Sequence, residues 1–174
     1  VIESEFPRPV RLDAIGQAPH AMHLKAEPTE CEALAKRFDL VTLDRLEVDV
    51  AVRRDAAAVF AEGRIRADVV QSCVATGQPI PATVDAPFSL RFVPETEAGE
   101  ADEVELSDVD CDTLTYAGSA IDLGEAAAET LLLALDPFPR CADADETLRD
   151  AGIVDESEVG PFAALKALRD KLGG

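Results

Sequence analysis

Three stretches in the middle of the chain alternate apolar and polar residues with a period of two, the pattern of strands with one buried face. Leu46, Val48, Val50 and Val52 fall on one side of the first, with Glu47, Asp49 and Arg53 opposite. Ile65, Ala67 and Val69 alternate with Arg64, Arg66 and Asp68, and Val84, Phe88, Leu90 and Phe92 alternate with Asp85, Ser89 and Arg91. The links, residues 55–58 and 76–81, are short enough for hairpins. A first turn centred between Ala56 and Ala57 sets Val48 opposite Ile65 and Val50 opposite Gly63, while Asp49 meets Arg64 and Glu47 meets Arg66. A second turn near Gln78 sets Val69 opposite Phe88, Ala67 opposite Leu90 and Ile65 opposite Phe92. Apolar then meets apolar and opposite charges pair, and a one-residue slip would lose both matches.

Helical patterns flank these strands. Thr29 with Glu32 has the form of a capping box, followed at helical spacing by Cys31, Leu34, Ala35 and Phe38. Asp122 with Glu125 is a similar start, and residues 126–135 are apolar on nearly every side until Pro137, which predicts a buried helix. Residues 145–151, closed by Gly152, read as a short helix, and Pro161 opens a final amphipathic one through Phe162, Leu165, Leu168 and Leu172. Residues 10–14 and 22–26 are further strands, with 114–121 a candidate. The expected class is α+β: an antiparallel β-meander or open barrel-like sheet covered by three to four helices.

With 174 residues the chain fits a single domain, and one of this size buries roughly 70% of its unfolded surface without a disulfide or metal staple. Composition is ordinary, at 47% hydrophobic and 29% charged, but the net charge is -19. Between Arg91 and Arg140 no Lys or Arg occurs, and nine carboxylates crowd from Glu95 to Asp112. Like charges at that density oppose compaction, so residues 94–112 are expected to form a mobile acidic loop. The charge disfavours both counterion-release binding of nucleic acid and an electrostatic hold on an anionic membrane. The longest apolar run, residues 56–61, is far short of the roughly 20 residues a membrane-spanning helix needs. The first seven residues carry two glutamates and no basic segment, so no signal peptide is expected; the start at Val leaves room for a removed leader.

Cys31, Cys73, Cys111 and Cys141 form no Cys-x-x-Cys pair, which suggests free thiols in the reducing cytoplasm. No basic residue lies between Arg66 and Arg91 to activate Cys73, which reads as a small buried hydrophobe. Gln71 shares its inward face, and a buried amide there must find partners, so it is expected to fasten another segment to the sheet. His20 and His23, three apart in a strand, point to opposite faces and make a poor metal pair. No phosphate-binding loop, dinucleotide fingerprint, nucleophile elbow or His-Glu-x-x-His motif is present. Arg64 and Arg66 are expected to be neutralised by Asp49 and Glu47. No enzymatic activity and no cofactor are expected.

The run from Ala67 through Gln71, Cys73 and Val74 to Pro79, followed by Phe88-Ser89-Leu90-Arg91-Phe92, resembles the centre of the YceD family. So does Ile121-Asp122-Leu123 leading through Leu131 and Leu133 to Asp136-Pro137-Phe138-Pro139-Arg140, and Leu34-Ala35-Lys36-Arg37-Phe38 is similar to its alphaproteobacterial branch. The likeness extends over roughly residues 8–141. It implies a bacterial, cytoplasmic, non-enzymatic protein needed for accumulation of large-subunit (23S) ribosomal RNA. Charge then suggests the partner: a basic ribosomal protein or a pre-large-subunit particle, with weak or no binding to naked RNA and none to membranes. Two prolines around Phe138 make a stiff turn presenting an aromatic and an arginine. The candidate partner-binding residues are Gln71, Cys73, Asp122, Phe138, Pro139 and Arg140, with Glu95, Glu97, Glu100, Asp102, Glu103 and Glu105 of the acidic stretch. The competing reading is a redox- or metal-responsive regulator using Cys73 and Cys141.

Overall fold

A computed structural model describes residues 4–56, 58–95 and 112–153. In chain order these form β1 (Pro9–Arg11), a 3-10 turn (Leu12–Ala14), β2 (His20–Lys25), α1 (Pro28–Arg37), β3 (Thr42–Asp55) and β4 (Ala58–Ser72). There follow β5 (Pro79–Pro94), β6 (Asp112–Tyr116), β7 (Ala120–Asp122), α2 (Leu123–Ala134) and α3 (Ala144–Asp150). The final amphipathic helix and the acidic stretch beyond Glu95 lie outside the described residues. The chain divides into two compact units, Val1–Gln71 with Pro81–Pro137, and Ser72–Ile80 with Phe138–Gly174.

The first unit carries the sheet, in the order β2-β3-β4-β5-β6, and a separate two-stranded ribbon of β1 and β7. The sheet is open, and the class is α+β as the alternation predicted. The β3–β4 hairpin has the expected register: Val48 pairs with Ile65, Val50 with Gly63, Asp49 with Arg64 and Glu47 with Arg66. Asp55 pairs with Ala58 at the closed end of this hairpin, and Ala56 at φ 51 lies in the left-handed region. Burial follows the alternation: Leu46, Val48, Val50 and Val52 of β3 and Val59, Ala61, Ile65, Ala67 and Val69 of β4 are all buried. They join Phe6, Leu34 of α1 and Leu131 of α2 in one core cluster. A fully buried side chain of this size contributes about 1.5–3 kcal/mol, so this face supplies much of the unit's stability.

Two expectations about the sheet are corrected. The β4–β5 turn does not centre near Gln78. Cys73 N donates to Gln78 O (2.8 Å) and Gly77 N to Cys73 O (2.8 Å), which places the turn at residues 74–77. Thr83 Oγ1 accordingly reaches Asp68 Oδ1 at 3.2 Å, and the Phe88 ring stands over Gly63 rather than Val69. A methyl group at Gly63 would lie 2.2 Å from Asp49 O, so glycine is what lets β3 and that ring close in. Second, the sheet is not wholly antiparallel. β6 pairs with β5 in parallel, from Leu90 opposite Asp112 to Pro94 opposite Tyr116, and leaves the first two-thirds of β5 without it.

The exposed charges also find different neighbours. Arg66 Nη1 reaches Asp49 Oδ2 at 2.8 Å, and Arg64 pairs with Asp85 instead of Asp49. Glu47 takes Lys25 and Arg45, and Asp49 also accepts from His23 Nδ1 at 2.7 Å. Long arginine side chains reach diagonally along the sheet, so the residue directly opposite is not always the partner.

Helix starts follow the same logic with one shift. α1 is capped by Glu27, not Thr29: Glu27 and Glu30 form the reciprocal box and Pro28 takes the first position, where its missing N–H costs nothing. α2 is capped as expected by Asp122, whose Oδ1 accepts from Gly124 N (3.0 Å) and Glu125 N (3.1 Å). The same oxygen accepts from Arg8 N at 2.8 Å, tying the N-terminal segment to the helix. Gly124 leaves room for that segment, since a methyl there would lie 1.8 Å from Phe6 O. α2 is buried along Leu123, Ala126, Ala127, Ala128 and Leu131, but Leu132 and Leu133 are exposed, so it is less enclosed than its composition predicts.

Two outcomes are expected in urea unfolding. Arg64→Glu should destabilise by about 0.5–1 kcal/mol, with part recovered by Asp85→Lys but not by Asp49→Lys. Gly124→Ala should cost about 1–3 kcal/mol through overpacking against the Phe6 carbonyl, with the urea slope unchanged.

Candidate functional site

The second unit brings the β4–β5 hairpin tip and the segment after Pro137 together. Gly77, at φ 74, supplies the left-handed residue that the turn requires. Ser72 Oγ donates to Gly77 O and Gln78 N to Thr76 Oγ1, both at 3.3 Å, so local side chains finish the turn. Val74 N donates to Pro139 O at 2.9 Å. Gln78 Nε2 donates to Asp143 Oδ2 at 3.3 Å, just before α3.

At the centre of this contact are two thiols. Cys141 Sγ lies 3.0 Å from Cys73 Sγ and donates to it, and Cys141 N donates to the same sulfur at 3.3 Å. Thr76 Oγ1 is 3.2 Å from Cys141 Sγ. Cys73 is buried and Cys141 half-buried; both are free. Burial pushes the Cys73 thiol up, but hydrogen bonds from the Cys141 thiol and backbone, the Thr76 hydroxyl and the Ala75 backbone outweigh it and bring it down to about 6. The Cys141 thiol is raised, first because it donates its proton to Cys73 and further by Asp143. Cys31 is the contrast: burial and the neighbouring Glu30, Asp44 and Glu27 raise it.

Cys73 is therefore more than the small buried hydrophobe its surroundings in the sequence suggested. No basic residue lowers it; hydrogen bonds do, the strongest from a residue 68 positions away. The positional parity of Gln71, which put it inside, was the one sequence signal that extended to Cys73.

The other candidates are spread over the molecule. Gln71 is buried, and its Nε2 donates to Asp136 O at 2.8 Å, fastening the end of α2's following segment to β4. Asp122 is engaged as the α2 cap. Phe138 is 72% exposed, Pro139 offers its carbonyl to Val74, and Arg140 pairs with Asp145 at 2.6 Å. Glu95 is exposed at the end of β5, while Glu97, Glu100, Asp102, Glu103 and Glu105 lie outside the described residues. The structure thus gathers Cys73, Phe138, Pro139 and Arg140 in one unit and places Gln71 and Asp122 in the other. Among the described residues no group of three His, Cys, Asp or Glu is arranged to hold a metal ion. No helix among them is long and apolar enough to cross a membrane.

A family model described as "Large ribosomal RNA subunit accumulation protein YceD" matches residues 61–169. The chain belongs to the YceD family. The match takes in most of β4 and everything from β5 to α3, so both the thiol pair and the Pro137–Arg140 turn fall inside the YceD region. The family's description ties it to accumulation of large-subunit ribosomal RNA, and it is not a known enzyme family. No curated protein and no solved structure matches this chain.

Thiolate absorbance should show one cysteine titrating near pH 6, so that at pH 7 roughly nine-tenths of that thiol is ionised against about 3% for an ordinary one. Thr76→Val removes one of the hydrogen bonds that hold it down and should move the midpoint upward.

Proposed function

We propose that this YceD protein serves large-subunit ribosome biogenesis in the cytoplasm as a binding factor without catalysis, taking a basic ribosomal protein or a pre-large-subunit particle. The observation that carries this reading is charge. The chain bears a net charge of -19, and its described cations are largely spoken for. On the sheet, Lys25, Arg45, Arg64 and Arg66 each pair with a carboxylate. Elsewhere Arg8 pairs with Glu30, Arg37 with Glu5 and Glu125, and Arg140 with Asp145. Cations already engaged gain little from phosphate, and the long-range field repels it. The same field draws in a basic protein and speeds encounter.

The acidic stretch that includes Glu97, Glu100, Asp102, Glu103 and Glu105 supplies the densest part of this charge. The exposed Phe138 beside Pro139 offers an apolar anchor, the kind of residue on which interface energy concentrates. In this reading charge governs the rate and Phe138 the residence time.

Binding to a basic large-subunit ribosomal protein should weaken steeply with salt. Deleting residues 96–110 should lower both affinity and salt slope while leaving the far-ultraviolet spectrum unchanged. A deletion variant that binds as well as the parent would remove the acidic stretch from the account. Tight binding to naked RNA at physiological salt would reverse the electrostatic argument.

A further inference from the structure

We infer that Cys73 and Cys141 form a reversible dithiol–disulfide site, oxidised by hydrogen peroxide and reset by a thiol, which covalently joins the hairpin tip to the segment following Pro139. This goes beyond the binding role proposed above and does not depend on it.

Geometry carries the inference. The two sulfurs are already in contact at 3.0 Å, so forming the bond requires them to close by only about 1 Å. The backbones are fixed close together by the Val74 N to Pro139 O bond, and Cys141 N itself points at the Cys73 sulfur. The proton arrangement is the one such chemistry needs. Cys141 is the donor and Cys73 the acceptor, so Cys73 is the sulfur that carries negative charge, with Thr76 and the Ala75 backbone supporting it.

Access differs between the two sulfurs in a useful sense. Cys73 is 3% exposed and Cys141 is half-buried. The Cys73 thiolate attacks one oxygen of the peroxide; the S–O bond forms as O–O breaks, and the departing hydroxide takes a proton to become water. The Cys141 sulfur then attacks the Cys73 sulfenic acid. An S–S bond forms, S–O breaks, and the leaving oxygen departs as a second water with the Cys141 proton. Two thiols have lost two electrons and two hydrogens, and one peroxide has become two waters. Reversal starts at the half-buried sulfur. A thiolate reductant attacks Cys141, expelling Cys73, whose low proton affinity makes it the better leaving group.

Cys31 serves as the internal control. It is buried like Cys73, lies among carboxylates that raise its thiol, and has no sulfur partner among the described residues.

The test uses the full chain, reduced and freed of reductant, with hydrogen peroxide as the probe. Ellman titration should fall from four thiols to two, and the intact mass should drop by about 2 Da as two hydrogens leave. Non-reducing peptide mapping should recover one linked pair, Cys73 with Cys141, and dithiothreitol should restore all four thiols. Oxidation of Cys73 should outpace that of Cys31 roughly tenfold or more at pH 7. In Cys141→Ser the sulfenic acid cannot be resolved, so dimedone should label Cys73; circular dichroism checks that this variant folds. The wild-type peptide map decides the matter even if it does not. Retention of four thiols, linkage through Cys31 or Cys111, or disulfides only between chains would each overturn the proposal.

Discussion

In β3 and β4, fourteen and fifteen residues long, the side-chain period of two leaves few ways to bury one face of each. From Asp55 opposite Ala58 to Thr42 opposite Val70 the two strands are held in one pairing, interrupted only by a register shift between Leu43 and Arg45. The neighbouring strands and α1 are built on that ladder. β2 continues it outward with Leu24 opposite Val48, α1 packs on β3, and β5 lies against β4 where Gly63 makes room for Phe88. The far end of β4 runs into the turn that carries Cys73.

The register of this hairpin was legible because two independent patterns, apolar alternation and charge, agreed on one answer. For the next hairpin they could not. The expected pairing of Val69 with Phe88 and the observed seat of Phe88 at Gly63 differ by six residues, an even number, so both put apolar faces together. What separates them is turn chemistry. Gly77 with a positive φ, and the reach of Cys73 N to Gln78 O, place the bend earlier than the midpoint of the polar link. The parallel pairing of β6 was not legible at all, since apolar alternation does not record the direction in which a strand runs.

Capping signals were read well where a single candidate existed and poorly where two overlapped. Asp122 had no rival and caps α2. Thr29 with Glu32 had the right form, but Glu27 with Glu30, and Pro28 at the first position, start the helix two residues earlier. At the candidate site, the inward direction of Gln71 and Cys73 followed from strand parity. The identity of their partners, Asp136 and Cys141, did not, because contacts across more than sixty residues leave no periodic trace. Family membership, by contrast, was legible from the order of short segments, none diagnostic alone, that the YceD match now spans.

The prolines of β5 have a consequence for how this protein meets other chains. Gln78 turns its carbonyl toward β4, so residues of the opposite parity direct their backbones away from β4. Pro79, Pro81 and Pro87 all have that parity, and β6 reaches only Leu90 to Pro94. Along the stretch that β6 leaves open, three donors that an incoming strand would need have been deleted from the backbone itself. Adding a strand there, whether from a second copy in an amyloid-like stack or from an extended peptide, would meet a row of missing hydrogen bonds. Any chain that meets this stretch of β5 would therefore have side chains rather than backbone donors to engage.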